Sequence, residues 1–445
     1  RVDAGQAFDY DAPVDGMRII DDHTFVFELN KNEQQFMWRL AMFQLSIVPR
    51  EAVEHYGTNF NRHPVGTGPF ILKQERDWVA NTSVLYHRNP HYRTEMYPTE
   101  WMPEDEAAGL TASAGATLPL VDKVEFNFFV ETQPNWLRFR EGEMDFTTVP
   151  ADNFFEAYDR RTKELRSSWE RRGIVSHGVP LLDMIFRGFN MEDSLLGGYT
   201  PEKRALRHAI CLATDLYEMN ESRYNGTAIV YDGPIPPGLD GHPENHILEH
   251  AYQGPDYERA RQKLREAGYT VVDGKVTDLP TIEFYTSRGA ESEKIVALLQ
   301  RSLEVVGIRL NPHYQDFAAL MGTVDNRKAP MFSFAWGSDY PDAENNLALF
   351  YGPNESPGSN HYNYKNPEYD RLYEQIKTMP PGPERTAVYV KMRDMIIEDA
   401  PFSGSMARVR HYLVHPWLKN FKPTEDFFNY FKYLDVDLSH PRRPE

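Results

Sequence analysis

The feature that most constrains the fold is an alternation of strand and helix patterns between residues 280 and 340. This stretch predicts a strand, an amphipathic helix, a strand, a short helix and a strand, over 281–285, 291–306, 308–314, 317–321 and 331–336. Gly307 follows the long helix directly and is expected to end it. Alternation of this kind indicates βαβ units and a largely parallel sheet.

A candidate site lies directly after the third of these strands. The residues Trp336, Gly337, Asp339, Tyr340 and Asp342 supply an aromatic wall, a flexible glycine and two carboxylates within a short loop. In open α/β sheets, ligands bind in the crevice beyond the carboxyl ends of the strands. The loop is therefore the best site that the residues alone indicate.

Size and charge narrow the class of protein. A chain of 445 residues is too long for one hydrophobic core, so we expect two or more lobes. The formal net charge of −18 argues against a nucleic-acid partner, because phosphate binding needs basic patches. No apolar run reaches the roughly 18 residues that a membrane-spanning helix needs. Cys211 is the single cysteine, so no disulfide can form within the chain.

The familiar catalytic and nucleotide-binding motifs are absent from the sequence. Gly66 and Gly68 precede Pro69, which removes an amide that a phosphate-binding loop would use. No nucleophile elbow occurs. The 66 Asp and Glu residues offer too many carboxylate pairs to select a glycosidase pair, so a hydrolase stays an open alternative.

Three histidines, His242, His246 and His250, follow one another at intervals of four residues. On a helix they would share one face, as metal ligands do. Pro243 directly follows the first of them, so the segment is predicted to be a loop with exposed side chains. We predict no metal site and no cofactor.

Seven further segments occur in a characteristic order: 63–70 (HPVGTGPF), 86–92 (YHRNPHY), 139–146 (FREGEMDF), 188–190 (GFN), 203–210 (KRALRHAI), 234–238 (PIPPG) and 366–370 (NPEYD). Together they resemble motifs of the bacterial extracellular solute-binding protein family 5, the oligopeptide, dipeptide and nickel-chelate receptors of ABC importers. The ligand loop of that family, Trp-x-x-Asp-Tyr, is matched by Trp336, Asp339 and Tyr340.

The resemblance implies a fold and a division of the chain. The expected fold is the α/β type II periplasmic-binding-protein fold, with two lobes joined by a hinge and a central mixed sheet in each. Residues 61–190 with 416–445 would form the first lobe, and residues 191–415 the second lobe. Residues 1–60 would be the remnant of a small second domain.

The resemblance also implies a function. The chain would be the substrate-binding component of an ABC importer that captures a small peptide or related solute by lobe closure, and it would not be an enzyme. Asp339 would pair with the α-ammonium of a peptide, with Trp336, Gly337 and Tyr340 around it. The expected partner is a membrane permease, and the expected location is periplasmic or extracellular. A scaffold or chaperone-like relative, and an Asp339 that only caps a turn before Pro341, are the alternatives.

Two departures from the family pattern stand out. Members of the family carry a long segment before the part that this chain matches. We therefore expect a cleaved or truncated protein, or a missing N-terminal fragment supplied by another polypeptide, and that fragment could hold a membrane anchor. Residues 94–118 are acidic and low in periodicity, and they are predicted to be a disordered or loosely packed surface insertion.

Overall fold

The computed structural model describes residue 9 and residues 11–243, 254–424 and 429–443. Its strands are β1 Met17–Asp21, β2 Thr24–Phe27, β3 Phe70–Ile71, β4 Trp78–Val79, β5 Ser83–Arg88, β6 Lys123–Asn127, β7 Phe146–Thr148, β8 Val175–Pro180, β9 Asp183–Phe189, β10 Ile229–Tyr231, β11 Val271–Val272, β12 Lys275–Val276, β13 Ile282–Ser287, β14 Leu310–Gln315, β15 Met331–Gly337, β16 Phe402–Ala407, β17 Val409–Val414, β18 Leu418–Lys419 and β19 Asp435–Val436. Its α-helices are α1 Phe36–Ala41, α2 Arg50–Tyr56, α3 Pro103–Ala107, α4 Thr132–Glu141, α5 Phe154–Ala157, α6 Ser167–Glu170, α7 Pro201–Ala213, α8 Leu216–Tyr224, α9 Tyr257–Glu266, α10 Ala290–Glu304, α11 Phe317–Asp325, α12 Ala343–Leu347, α13 Pro367–Ile376 and α14 Pro383–Asp399. None of the helices in these described ranges is long and apolar enough to cross a membrane.

A six-stranded sheet organises residues 183–407, which we call the sheet body. Its strand order is β10-β16-β9-β15-β13-β14. The pairs β13–β14 and β13–β15 are parallel, whereas β15–β9, β9–β16 and β16–β10 are antiparallel. The prediction of a largely parallel sheet is therefore wrong: three of the five strand pairs are antiparallel, because strands from distant parts of the chain pair beside the βαβ units. The expectation of a mixed sheet is confirmed here, but it is wrong for the sheets of the remaining chain, β3 to β6 and β7-β17-β8, whose strand pairs are all antiparallel.

The five elements predicted from alternation are confirmed as β13, α10, β14, α11 and β15. Gly307 ends the turn after α10 with a φ of +84°, which glycine adopts without strain. The short helix α11 runs on to Asp325, further than its pattern indicated. Thr200 caps α7 by accepting a hydrogen bond from the Lys203 amide.

The two faces of the six-stranded sheet bury separate cores. Side chains along a strand point alternately to opposite faces, so Met331 and Phe332 enter different clusters. Met331 packs with Phe284 under one set of helices, and Phe332 packs with Tyr362 under the other. Both faces are covered, which makes the sheet body a complete α/β layer structure.

Among the described residues outside the sheet body, β3, β4, β5 and β6 form one smaller sheet and β7-β17-β8 another, and β1-β2 and β18-β19 are two-stranded. The chain passes between these sheets and the sheet body at Leu181 and Leu182 and again at Arg408, and the Leu181 amide donates to the Arg408 carbonyl over 2.8 Å. The chain thus changes from one sheet to another at 181–182 and at 408. Both positions come earlier in the sequence than the predicted lobe boundaries at 190/191 and 415/416. The division into two lobes itself stays a prediction.

The acidic segment 94–118 is folded, so the prediction of a disordered or loosely packed insertion is wrong. It contains α3, and the Tyr97 hydroxyl donates to the Leu110 carbonyl over 2.6 Å. Lys432, near the C-terminus, pairs with Glu95 over 2.6 Å, and Lys422 pairs with Asp105. Charges supplied from the far end of the chain hold the segment in place.

Residues 11–60, which we call the N-terminal segment, form a β-hairpin followed by α1 and α2. Among the described residues up to 60, only Gln35 is buried. The segment reaches the sheet body through the Gln34 amide, which donates to the Lys377 carbonyl over 3.1 Å, and the Asn32 side chain, which donates to the Thr378 carbonyl over 3.3 Å. Its origin as the remnant of a small second domain stays a prediction.

Candidate functional site

The predicted ligand loop leaves the six-stranded sheet at the place where the chain crosses between sheets. Strand β15 ends at Gly337, which pairs with Asp183, the first residue of β9. The Ser338 amide then donates to the Leu182 carbonyl over 2.8 Å. The loop is therefore attached to one of the two crossing segments, and it lies at the edge where a cleft between sheets would open.

Asn345 organises the first half of the loop. Its side-chain oxygen accepts hydrogen bonds from the Trp336 indole over 2.9 Å and from the Asp339 amide over 3.1 Å. Its amide nitrogen donates to one oxygen of the Asp339 carboxylate over 3.3 Å. Trp336 is half-buried, whereas Gly337 and Asp339 are exposed. Asp339 is thus oriented by the protein and still has acceptor capacity towards solvent.

Asp342, the second carboxylate of the loop, has a structural role. It accepts from Arg385 over 2.9 Å and from the Tyr389 hydroxyl over 2.6 Å, and it caps α12 through the Glu344 amide. The side chains of Arg385 and Asp342 are 3% and 9% exposed. A buried ion pair with further hydrogen bonds of this kind fixes the second half of the loop.

Tyr340 turns into the protein. Its hydroxyl donates to the buried Glu344 carboxylate over 2.7 Å, and the Tyr373 hydroxyl donates to the other oxygen of Glu344. Burial, together with the charge of Glu344, raises the pKa of Tyr340 and of Tyr373. The structure therefore places the predicted ligand residue Tyr340 in the wall of the loop, 7% exposed.

The N-terminal segment contributes a cation to the same cluster. Arg39 pairs with Glu33 over 3.0 Å and lies close enough to Tyr340 and Glu344 to interact with them electrostatically. Burial acts to lower the pKa of Arg39, but the charges of Glu33, Tyr340 and Glu344 raise it on balance. The support of the loop therefore extends beyond the sheet body.

Asp183 and Arg408 join the two crossing segments. One oxygen of the Asp183 carboxylate accepts from the Arg408 amide over 2.8 Å, and the other accepts from Arg408 Nε. Asp183 is 2% exposed, and burial raises its pKa although Arg408 acts to lower it. The Arg408 side chain is 47% exposed and directly follows the end of β16.

Sequence reasoning named the four residues of the predicted ligand loop, whose ligand role stays a prediction, but it did not name Asn345, Arg385, Arg39 or the pair of Asp183 with Arg408. None of these residues belongs to a local motif, because each works through a partner outside its own element. The available signal was the proximity of Asp183 and Arg408 to the predicted lobe boundaries.

The histidine series has one member in the part of the chain that the structure describes. His242 lies in a turn after Leu239, and its Nδ1 is 2.8 Å from the Ile235 carbonyl oxygen. His246 and His250 lie outside the described residues.

Comparison with known proteins places this geometry in a family. Residues 2–358 match the sequence model described as bacterial extracellular solute-binding proteins, family 5 Middle. Heme-binding protein A of Haemophilus influenzae is 21% identical over 423 residues, covering 94% of this chain and 69% of that protein. The periplasmic oligopeptide-binding protein OppA of Salmonella typhimurium is 24% identical over 432 residues, covering 95% of this chain and 70% of that protein.

Solved structures show the same fold. DppA from Helicobacter pylori in complex with the peptide STSA superimposes with a TM-score of 0.67 at 22% identity, covering 95% of this chain and 74% of that chain. HbpA2 from Haemophilus parasuis superimposes with a TM-score of 0.72 at 17% identity, covering 95% of this chain and 75% of that chain. The predicted type II periplasmic-binding-protein fold is therefore confirmed.

These matches also confirm the predicted class of function, the substrate-binding component of an ABC importer, and they do not favour a hydrolase or a scaffold. Members of the family bind solutes rather than transform them. Because the family's sequence model matches most of the chain, this protein belongs to the bacterial extracellular solute-binding proteins of family 5.

Proposed function

We propose that this protein captures a peptide at the cleft edge of the six-stranded sheet, with Asp339 pairing the α-ammonium of the ligand. The protein would work in the periplasm or outside the cell, and a membrane permease would receive the ligand. The observation that carries the proposal is the contrast within the loop. The Asp342 carboxylate already accepts hydrogen bonds from Arg385 and Tyr389, whereas the Asp339 carboxylate is exposed and is held in position by Asn345.

The chemistry of the loop suits an amino terminus. An ammonium group that leaves water needs a charge partner, and a carboxylate with free lone pairs accepts its hydrogen bonds. Trp336 gives a half-buried apolar wall beside that carboxylate. Gly337 is exposed and has no side chain, so a ligand can approach the backbone closely there.

Lobe closure would follow from movement at the two crossing segments, as in other hinge proteins. On one side of the crossings, Lys163 pairs with Glu221 over 3.2 Å, and the Asn225 side chain donates to the Ala151 carbonyl over 3.0 Å. Both contacts join the sheet body to the remainder of the chain. They are few and polar, which suits an interface that opens and closes.

The test is the affinity of Asp339→Ala for a short peptide, measured by isothermal titration calorimetry with trialanine. Loss of the charge partner should weaken binding by about 2–5 kcal/mol. N-acetyl-trialanine, which has no ammonium, should bind the wild type and the variant equally weakly. Glu384→Ala removes an exposed carboxylate of the sheet body and should leave the affinity unchanged. Unchanged affinity of Asp339→Ala for trialanine would refute the role of Asp339.

A further inference from the structure

We propose that a cavity between the acidic segment 94–118 and the C-terminal residues 420–433 binds a small quaternary ammonium compound. The cavity has a volume of about 350 Å³, at the lower end of the range for small-molecule sites. Its described lining residues lie within 97–111 and 420–433, outside the sheet body and the ligand loop. The inference therefore concerns a second site and does not rest on the proposed function.

Aromatic rings from both segments line this cavity. Tyr97 and Trp101 come from the acidic segment, and Tyr430 and Tyr433 come from the C-terminal residues. The rings of Tyr97 and Tyr433 pack edge to face, with their centroids 5.7 Å apart and their planes at 89°. The face of an aromatic ring is electrically negative, so several rings around one space attract a cation.

Hydrogen bonds hold the two sides of the cavity together without a ligand. The Tyr97 hydroxyl donates to the Leu110 carbonyl over 2.6 Å, which fixes the orientation of that ring. The Asn420 side chain donates to the Tyr433 carbonyl and to the Ser113 hydroxyl, over 3.0 Å in each case. A site that is already formed loses little conformational freedom when a ligand binds.

The charges around the cavity favour a cation over an anion. Segment 94–118 contains five acidic residues and no lysine or arginine. In the lining, Asp105 pairs with Lys422, whereas Glu100 has no ion-pair partner among the described residues. Burial, together with the charge of Asp105, raises the pKa of Tyr97, so its hydroxyl stays neutral. Glu100 therefore leaves one negative charge beside the rings that the protein does not compensate.

The polar atoms of the lining favour a quaternary ammonium over a primary one. A primary ammonium has three N–H donors, and each needs an acceptor when the group leaves water. The Leu110 carbonyl already accepts from Tyr97, and the Asp105 carboxylate already accepts from Lys422 and from the Met102 amide. A quaternary ammonium has no N–H to satisfy, and its methyl groups pack on aromatic faces.

The first experiment compares choline with dimethylbutanol, the uncharged analogue in which a carbon atom replaces the quaternary nitrogen. Both are titrated by calorimetry into the wild type, Trp101→Leu and Trp38→Leu. Trp101→Leu keeps an apolar side chain and removes the ring, and Trp38→Leu makes the same change at a tryptophan of similar exposure, 42% against 45%. We expect Trp101→Leu to weaken choline binding by about fivefold or more and Trp38→Leu to leave it unchanged. The wild type should bind the alcohol more weakly than choline.

The second experiment tests the negative charge. Glu100→Gln should weaken choline binding by about two- to fourfold at low salt and by less at high salt, because an exposed charge is screened. Glu104→Gln changes another exposed carboxylate of the same segment, one outside the lining, and should have little effect. Equal losses in the two variants would mean that the overall charge of the segment attracts choline, and the role of Glu100 in the cavity would be refuted.

The remaining outcomes keep this inference apart from the proposed function. It is refuted if the wild type binds no choline at millimolar concentrations, if it binds choline and the alcohol equally, or if Asp339→Ala abolishes choline binding. Choline should leave the affinity for trialanine unchanged, and a failure of trialanine to bind refutes the proposed function alone. If Trp101→Leu does not fold, Trp101→Phe decides: its ring attracts a cation less strongly, so choline should bind more weakly, and an unchanged affinity would refute the inference.

Discussion

The sheet body and the N-terminal segment carry similar apolar side chains, but the sheet body buries them and the N-terminal segment leaves many of them exposed. In the sheet body, Phe332, Phe350 and Tyr362 are at most 1% exposed. In the N-terminal segment, Ile19 and Ile47 are each 85% exposed. The difference follows from packing partners, because a six-stranded sheet offers two large faces, whereas a two-stranded hairpin and two short helices offer none.

The comparison shows how the ligand loop is stabilised. Inside the sheet body, Asp342 and Arg385 hold it through a buried ion pair. From outside, Arg39 of the N-terminal segment reaches Tyr340, and the same segment is attached by the Gln34 amide. Buried contacts thus fix the loop within the sheet body, and more exposed polar contacts determine how the N-terminal segment meets it. The first kind of support should be much stronger than the second.

The largest expected effect is a loss of stability when a large side chain is removed from the core of the sheet body. Phe332 is 0% exposed and packs against Phe186 and Tyr362, so Phe332→Ala leaves a cavity. It should lower the free energy of unfolding by about 3–5 kcal/mol. Trp38→Ala in the N-terminal segment removes a side chain that is 42% exposed and should cost about 1 kcal/mol or less. Urea unfolding followed by circular dichroism compares the two variants.

Equal losses of unfolding free energy in Phe332→Ala and Trp38→Ala would contradict the difference in burial between the sheet body and the N-terminal segment. A large loss for Trp38→Ala would mean that the apolar surface of the N-terminal segment is buried in solution, for instance against another copy of the chain. Sedimentation of the wild type at several concentrations would then show that association. A small loss for both variants would mean that the core around Phe332 collapses to fill the cavity.

A smaller effect should appear in the pH dependence of stability, and it should come from Asp232 in the sheet body. One oxygen of Asp232 is buried without a hydrogen-bond partner in the described residues, and burial raises the pKa of Asp232 to about 6 although Arg393 acts to lower it. The folded protein then holds this proton at a pH where the unfolded chain has released it, so stability falls as the pH rises from 4 through 6. Asp232→Asn should remove that fall and stabilise the protein at pH 7.5 by about 1–3 kcal/mol.

Thermal unfolding of both proteins at pH 4.5 and pH 7.5 measures this difference. Asp240→Asn changes an exposed carboxylate of the same segment and serves as the control. If Asp232→Asn stabilises the protein equally at both values of pH, the gain comes from something other than an ionised buried carboxylate.

Local patterns predicted the elements around the site well. The strand and helix alternation from 281 to 336 is visible in the spacing of apolar residues along the sequence and in helix-ending residues such as Gly307. Both signals come from residues that are close in sequence. The loop residues Trp336 and Asp339 followed from the end of a strand and from a family motif. Both kinds of signal are contained within a few residues of sequence.

Long-range pairing is what the sequence could not show. Arg385 lies 43 residues after its partner Asp342, and Arg408 lies 225 residues after Asp183. The acidic segment 94–118 looked unstructured because its pattern is weak, yet Lys432 holds it from 337 residues beyond Glu95. Charge pairs of this kind depend on the folded topology, and one sequence gives no sign of which pairs form.

The smallest expected effect concerns the contact between the two regions. The Arg39 side chain is 43% exposed and pairs with Glu33, which is 24% exposed, so much of the attraction is screened by water. Arg39→Ala should therefore change the free energy of unfolding by less than about 1 kcal/mol. It should nevertheless speed amide hydrogen exchange in residues 31–42 and leave exchange in α13 and α14 unchanged, because the core clusters of the sheet body include no residue of the N-terminal segment. Arg39→Lys keeps the charge and should restore part of the protection. If exchange in α13 and α14 also accelerates, the two regions fold as one unit, and the contrast in their burial does not mark a boundary in stability.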